Sequence, residues 1–242
     1  MITKSVVKDI QSLAGKKYRD QAGLFLAEGP KLVEELLRDC SHSIKAIYAL
    51  ESWIQQNKII NSSIQVTLVT PAELERLSQL TTPHEVLAVV SKFPISPLQI
   101  GKGLTLVCCG IQDPGNFGTI LRTADWFGVR QLVCSPDTVD VYNPKVVQAT
   151  MGSIARLAVH YMDLDPWLEE QEVPIYAAIL NGQSVYEINR SQSGILLIGN
   201  EAKGVPASLL TKKVTGITIP KIGEAESLNA AVATGILLSW LS

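Results

Sequence analysis

The sequence predicts an α/β protein of two units, the second a doubly wound parallel sheet. Three observations predict it. Apolar, β-branched runs alternate with helical spacing along most of the 242 residues. A proline- and glycine-rich break, Phe93-Pro94-Ile95-Ser96-Pro97 followed by Gly101-Lys102-Gly103, divides that alternation. Beyond the break the strand candidates are near-continuous apolar runs, the pattern of strands covered on both faces of a parallel sheet.

The first unit begins with a helical pattern over Val6–Leu13 and a strand over Gly23–Ala27. Lys31–Arg38 has helical spacing, with Leu32, Val33, Leu36 and Leu37 on one stripe. Ile44–Leu50, Ile64–Val69 and Val86–Phe93 read as strands. Thr70-Pro71-Ala72-Glu73 combines an N-cap, a proline at the first helical position and an acidic first turn, so a helix starts there and runs to about Leu80. These elements predict a small three-layer α/β sandwich over residues 1–96. Residues 97–103 read as a linker, or else as a long loop inside one domain.

The second unit, 104–242, opens with the strand Leu104–Gly110. A helix over Asn116–Phe127, the strand Gln131–Cys134 and a short helix over Pro144–Met151 follow. Ala155–His160 and Ile175–Leu180 read as strands flanking a helix over Asp163–Gln171. Gly194–Ile198 and Gly216–Pro220 are further strands, and Leu228–Leu241 is the closing helix. A doubly wound sheet binds its ligands outside the carboxyl ends of its strands.

Composition narrows the function. Hydrophobic residues make up 46% and charged residues 18%, enough to bury a core and too apolar for wholesale disorder. The longest apolar stretches, Leu104–Ile111 and Gly235–Leu241, fall short of the roughly 18–20 residues of a membrane span. Lys4, Lys8 and Asp9 interrupt any signal-peptide core. His42, His84 and His160 lie far apart, so no metal-finger spacing exists and no metal is expected. Cys108 and Cys109, adjacent in an apolar run, read as buried thiols of a reducing cytoplasm. The net charge of −2 argues against simple polyanion coating. Yet residues 1–20 hold Lys4, Lys8, Lys16, Lys17 and Arg19 against only Asp9 and Asp20. That basic start is either a solvated helix face or a phosphate-facing surface.

Three loops carry the functional signal, each leaving a predicted strand. The first, Gln112-Asp113-Pro114-Gly115-Asn116-Phe117-Gly118, could be an ordinary turn. Arg122, six residues after Asn116, puts a permanent charge on an otherwise apolar helix, where it can clamp a phosphate or a hydroxyl. There is no GxGxxG and no phosphate-loop lysine motif. The second loop, Gly199-Asn200-Glu201-Ala202-Lys203-Gly204-Val205, is bracketed by glycines that permit close backbone approach to a ligand. Glu201 in it is either a site carboxylate or a cap for a helix beginning near Pro206. The third runs from Ile219-Pro220 to Ser227-Leu228-Asn229, with Ser227 able to cap the closing helix. The small residues after Asn229 allow another backbone to approach, in core packing or in a subunit contact. All three loops gather on one edge of the sheet.

These strings resemble the three signature motifs of the SpoU (TrmH) family of RNA ribose 2′-O-methyltransferases, of the SPOUT class. The resemblance covers essentially all of 104–242. The stretch around Lys16, Lys17 and Arg19, with Gly23–Gly29 and Val86–Val90, is similar to the RNA-binding N-terminal domain of many members. The resemblance implies a deep trefoil knot in the C-terminal α/β domain, a bent S-adenosylmethionine, and a homodimer with the site near the subunit interface. It implies cofactor contacts near Leu180, Asn181, Gly199, Asn200, Ile219 and Leu228. It assigns Arg122 as the catalytic arginine, with Asn116, Glu201, Ser227 and Asn229 as the other polar site positions. Lys221 stands where many members have methionine, and Ala230-Ala231 where Val-Ser is frequent.

The chemistry fits these residue types. A ribose 2′-hydroxyl must lose its proton as it attacks a sulfonium methyl, which needs placement and a held phosphate rather than a metal. Arginine, with a pKa above ~12, is a poor base and a good clamp for a phosphate or a developing alkoxide; the family's view of it as a base stays open. Ribosomal RNA is the expected target, because wobble-position tRNA enzymes of the family generally lack the N-terminal domain. The alternatives are a tRNA ribose methyltransferase and a non-catalytic RNA-binding assembly factor on the same fold.

Overall fold

The structure is a computed structural model that describes residues 2–57, 64–190 and 193–242. The chain forms two compact units, one of Met1–Pro94 with Asp140–Ala155, the other of Ile95–Val139 with Arg156–Ser242.

The first unit contains α1 (Lys4–Ser12), α2 (Lys16–Ala22), β1 (Leu24–Glu28), α3 (Pro30–Cys40), β2 (Ile44–Ala49), α4 (Glu51–Gln56), β3 (Gln65–Leu68), α5 (Pro71–Leu77) and β4 (Val86–Ser91). Its sheet has the order β1-β4-β2-β3, antiparallel except for the parallel β2/β3 pair. Alternation along the strands builds two apolar faces. Leu26, Leu87 and Val89 pack with Val7 and Ile10 of α1 and Leu74 and Leu77 of α5. Phe25, Ala27, Ala88 and Val90 point the other way, and α3 lies against the same strands with Leu32, Val33 and Leu36 buried. The helix start predicted at Thr70 is present, and Thr70 and Glu73 form a capping box with both reciprocal hydrogen bonds.

α2 was not predicted. Its segment, Lys-Lys-Tyr-Arg-Asp-Gln-Ala, has no apolar periodicity, and glycines bound it on both sides, Gly23 in the left-handed region at φ +64°. Asp140–Ala155 completes this unit. Tyr142 packs on Phe25, with ring centroids 4.9 Å apart, and its hydroxyl accepts a hydrogen bond from the Phe93 amide at 2.9 Å.

The second unit contains β5 (Leu104–Cys109), α6 (Pro114–Trp126) and β6 (Gln131–Cys134). After the helix Pro144–Thr150 (α7) come β7 (Ala158–Tyr161), α8 (Leu164–Glu169), β8 (Ile175–Ser184), β9 (Gly194–Gly199), β10 (Val214–Thr218) and α9 (Ala230–Leu241). The six strands lie in the order β10-β8-β9-β5-β6-β7, each neighbouring pair parallel. The predicted doubly wound sheet is present. On one face Val107, Val133, Ile195 and Leu197 pack against Leu164 and Leu168 of α8 and against Leu209. Leu106, Cys108, Leu196 and Ile198 alternate to the opposite face. There α9 lies against β9 and packs on α6, closely enough that a Cβ on Gly235 would come 3.7 Å from the Thr123 methyl. All four cysteines are free and buried.

Two boundaries differ in ways that matter below. β8 runs to Ser184, four residues past its predicted end, and its pairing with β10 jumps: Gly216 pairs with Ala177 and Ile217 with Gln183. Residues 178–182 therefore stand out of the ladder. After Val205 only a single 3-10 turn, Ala207–Leu209, forms where a helix near Pro206 was expected.

Candidate active site

Three turns meet at the carboxyl ends of β5, β9 and β10. β5 and β9 are neighbours, and the chain departs from β5 to β6 and β7 on one side while β8 to β10 occupy the other. Such a switch point opens a crevice at the strand ends.

Asp113 is the N-cap of α6, accepting the Asn116 amide proton at 2.7 Å, with Pro114 in the first turn. That cap orients Asn116 across the switch point. The Asn116 Nδ2 donates to Glu201 Oε1 at 2.7 Å, and its Oδ1 accepts from Asn229 Nδ2 at 2.8 Å. One amide thus joins residues from all three turns. Asn229, not Ser227, caps α9, its Oδ1 accepting from the Ala231 and Val232 amides at 2.9 and 3.3 Å. Its side chain is thereby oriented with the donor end toward Asn116. Glu201 is no helix cap, since the helix it would cap is absent; its carboxylate serves Asn116 instead.

The second turn is tightly built. Asn200 donates from Nδ2 to the Gly110 carbonyl at 2.7 Å and accepts the Ala202 and Lys203 amides on Oδ1 at 2.9 and 3.2 Å. Its amide and carbonyl also pair with Gly204. A Cβ on Gly199 would lie 2.1 Å from the Gly204 carbonyl carbon, so only glycine fits. The Asn200 side chain, expected to face the cofactor, is spent on shaping this turn.

The 178–182 excursion is held against the strand that leads into the third turn. A Cβ on Gly182 would come within 2.6 Å of the Gly216 carbonyl, so the two backbones cross in contact. Thr218 Oγ1 donates to the Leu180 carbonyl at 3.0 Å and fixes the excursion. Leu180 is 69% exposed, Leu228 48% and Ile222 fully. Apolar side chains left open beside exposed backbone polar groups suit an amphipathic ligand. S-adenosylmethionine fits this donor set: an adenine face for the leucines, and polar groups for the backbone near Asn181, Gly199 and Ile219. Asn181 is exposed and Ile219 half-buried. Lys221 is exposed in the same turn, while Ala230 and Ala231 are buried at the start of α9.

Arg122 lies on the third turn of α6, exposed, with no hydrogen bond or ion pair to another described residue. Neither it nor the exposed Ser227 joins the Asn116 cluster. In the first unit, Lys16 and Lys17 are exposed, Lys16 pairing with Asp20 at 2.8 Å. Arg19, expected on the same RNA-facing surface, is buried instead. It donates to the Leu13 and Ala14 carbonyls at 2.9 and 2.7 Å and to Asp140 Oδ2 at 2.7 Å. It forms one turn of a helix that periodicity could not reveal, so its inward direction could not be read either. Gly182 and Gly216 are marked in the sequence only as glycines within strand segments.

A family model described as the SpoU rRNA methylase family matches residues 103–239, and one described as the MRM3-like substrate binding domain matches 4–88. A Bacillus subtilis 23S rRNA (guanosine(2553)-2′-O)-methyltransferase is 34% identical over 239 residues, spanning 97% of this chain and 95% of its own. The structure of a putative TrmH-family RNA methyltransferase from Porphyromonas gingivalis superposes with a TM-score of 0.86 at 35% identity, covering 100% of this chain and 98% of that one. An AdoMet-bound rRNA methyltransferase from Sinorhizobium meliloti does so with a TM-score of 0.84 at 31% identity, covering 100% and 95%. With its motif-bearing turns assembled on a doubly wound sheet, this chain belongs to the SpoU rRNA methylase family.

Proposed function

We propose that this protein is an S-adenosylmethionine-dependent methyltransferase acting on a ribose 2′-hydroxyl of ribosomal RNA. The observation that carries the reading is the Asn229–Asn116–Glu201 hydrogen-bond chain, which ties the three motif turns together. Near full-length likeness to a 23S rRNA 2′-O-methyltransferase and to an AdoMet-bound rRNA methyltransferase supports it.

The cofactor supplies an electrophilic methyl group on a sulfonium. The protein's part is placement and charge. Leu180 and Leu228 receive the apolar portion, and backbone groups at Asn181, Gly199 and Ile219 receive the polar portion. Arg122, unpaired within the unit, holds the RNA phosphate beside the target ribose or the 2′ oxygen as it gains negative charge. Asn116 fixes one oxygen of Glu201, and the other is the acceptor for the 2′ proton. Ser227 and Asn229 frame the acceptor side. With the cofactor bound, its methyl group would take the place of that proton on the 2′ oxygen, and the demethylated cofactor would leave.

The first unit binds the RNA, with Lys16 and Lys17 on its phosphate-facing surface. RNA of this kind is read through shape and single-stranded loops. The fold carries the family's trefoil knot, the working form is a homodimer, and the protein acts in the cytoplasm. Labelled cofactor, incubated with the protein and separated RNA fractions, tests the reading. Label in large or small ribosomal RNA is expected; label in tRNA alone, or in no RNA, contradicts it.

A further inference from the structure

We propose that Ser135 and Asp137 are positioning residues for methyl transfer, holding the turn that carries Asn116. The inference rests on the proposed activity and adds residues that none of the three motifs contains.

The turn leaves β5 at Gly110, whose φ of +67° makes it left-handed. Both polar groups of Gly110 are held by side chains from the flanking strand ends. Its N–H donates to Ser135 Oγ at 2.8 Å, just past β6, and its carbonyl accepts from Asn200 at 2.7 Å, just past β9. Ser135 in turn donates to Asp137 Oδ1 at 2.5 Å, a charge-assisted bond that fixes the hydroxyl rotor with its lone pairs toward Gly110. The Asp137 carboxylate also stands where a side chain at Gly110 would be: a Cβ there would lie 2.8 Å from Oδ2. Two neighbouring bonds brace the same corner, Thr138 Oγ1 to the Cys108 carbonyl at 3.1 Å and the Val139 amide to the Ile111 carbonyl at 2.9 Å.

The clamp has a direct line to the site. Gly110 and Asn116 lie on one turn; Asn200 and Glu201 are adjacent on the other. The two turns are joined twice, by Asn200 to Gly110 and by Asn116 to Glu201. The Ser135–Asp137 pair sets the third side of this frame. Without the Ser135 hydroxyl the N–H of the Cys109–Gly110 peptide loses its acceptor, the corner is held only at the next peptide by the Asn200 bond to the Gly110 carbonyl, and the turn is free to carry Asn116 out of register with Glu201. Ser135 and Asp137 hold the Gly110 corner and are not among the positions proposed to contact the cofactor, so their effect is expected on rate rather than on cofactor affinity.

The test uses the full chain, labelled S-adenosylmethionine and total RNA from cells lacking the gene. Ser135→Ala is expected to lower kcat by about 10- to 100-fold, with KM for cofactor and RNA within about threefold, because misplacement costs rate rather than affinity. Ser135→Thr restores the hydroxyl and returns kcat toward wild type; Asp137→Asn gives a smaller fall. Hydrogen exchange over residues 110–118 is expected to quicken in Ser135→Ala while β5 stays protected. Ser135→Ala with wild-type kcat, or with cofactor affinity and thermal stability falling in step with kcat, overturns the proposal. A wild-type protein that transfers no methyl group refutes the activity instead, and then exchange alone decides the clamp: unchanged rates over 110–118 overturn it.

Discussion

Arg19 and Arg122 both sit on helices of the same chain, and their surroundings are opposite. The Arg19 guanidinium is buried, with two backbone carbonyls and the Asp140 carboxylate around it. Arg122 is exposed on α6 with no partner among the described residues, six residues along the helix from Asn116. A cation buried in the fold and paired there is out of reach of a ligand. One left exposed and unpaired keeps its charge available. The difference teaches that an arginine's function is set by what its neighbours leave unsatisfied, which the residue type alone does not tell.

Substitutions can sharpen or break that contrast. The largest expected effect is on stability. Arg19→Ala strands the Asp140 carboxylate and two carbonyls in a closed site, at a cost of about 3–5 kcal/mol. Urea unfolding followed by the fluorescence of the buried Trp53 in the same unit measures it. A loss under about 1 kcal/mol, in the range of exposed pairs, contradicts the structural role. Arg122→Ala is expected to leave unfolding unchanged and to slow methyl transfer by about 10²- to 10³-fold. Cofactor binding by calorimetry is expected to survive; near-normal turnover in this variant removes Arg122 from the mechanism.

Asn229 combines the two kinds of role, and substitution can separate them. Asn229→Ala loses the α9 cap, worth about 1 kcal/mol, together with the bond to Asn116. Asn229→Asp keeps a capping oxygen but has no amide to donate, so stability is expected to hold while transfer falls. Equal activity in Asn229→Asp and wild type shows the Asn116 link to be idle. The smallest effect belongs to Asp20, whose carboxyl is held down to about 2 by hydrogen bonds from Lys16 and then Lys92. A depressed carboxylate stabilises above the ordinary carboxylate range and loses that stabilisation as pH falls toward about 2. Because the pair is largely solvent-facing, the contribution is below about 1 kcal/mol. Asp20→Asn is expected to flatten that acid-side slope in a pH series of unfolding curves; an unchanged slope denies the contact any role.

The parts of the fold that bury apolar surface were legible. The runs at β5 and β9 could only be covered strands, and the capping signal at Thr70 named its helix start. The three turns were legible as well, because strand, turn and helix signals repeat there in order. What escaped lacked an apolar signature. α2 is short, charged and glycine-bounded, so Arg19 looked solvent-facing. The register jump between β8 and β10 depends on Gly182 meeting Gly216, a long-range backbone contact with no local mark beyond the glycines. The division of labour between Ser227 and Asn229 is a cap choice two residues apart, within the ordinary uncertainty of helix ends. Asn200 kept its place in the motif but serves the turn, since a side-chain amide can satisfy backbone groups as readily as a ligand.

The most direct test is chemical. Ribosomal RNA from cells lacking the gene, incubated with the protein and S-adenosylmethionine, is digested to nucleosides and analysed by mass spectrometry. The account predicts one new nucleoside heavier by a methyl group carried on the ribose. A methyl group found on the base, or none in any ribosomal RNA, contradicts it.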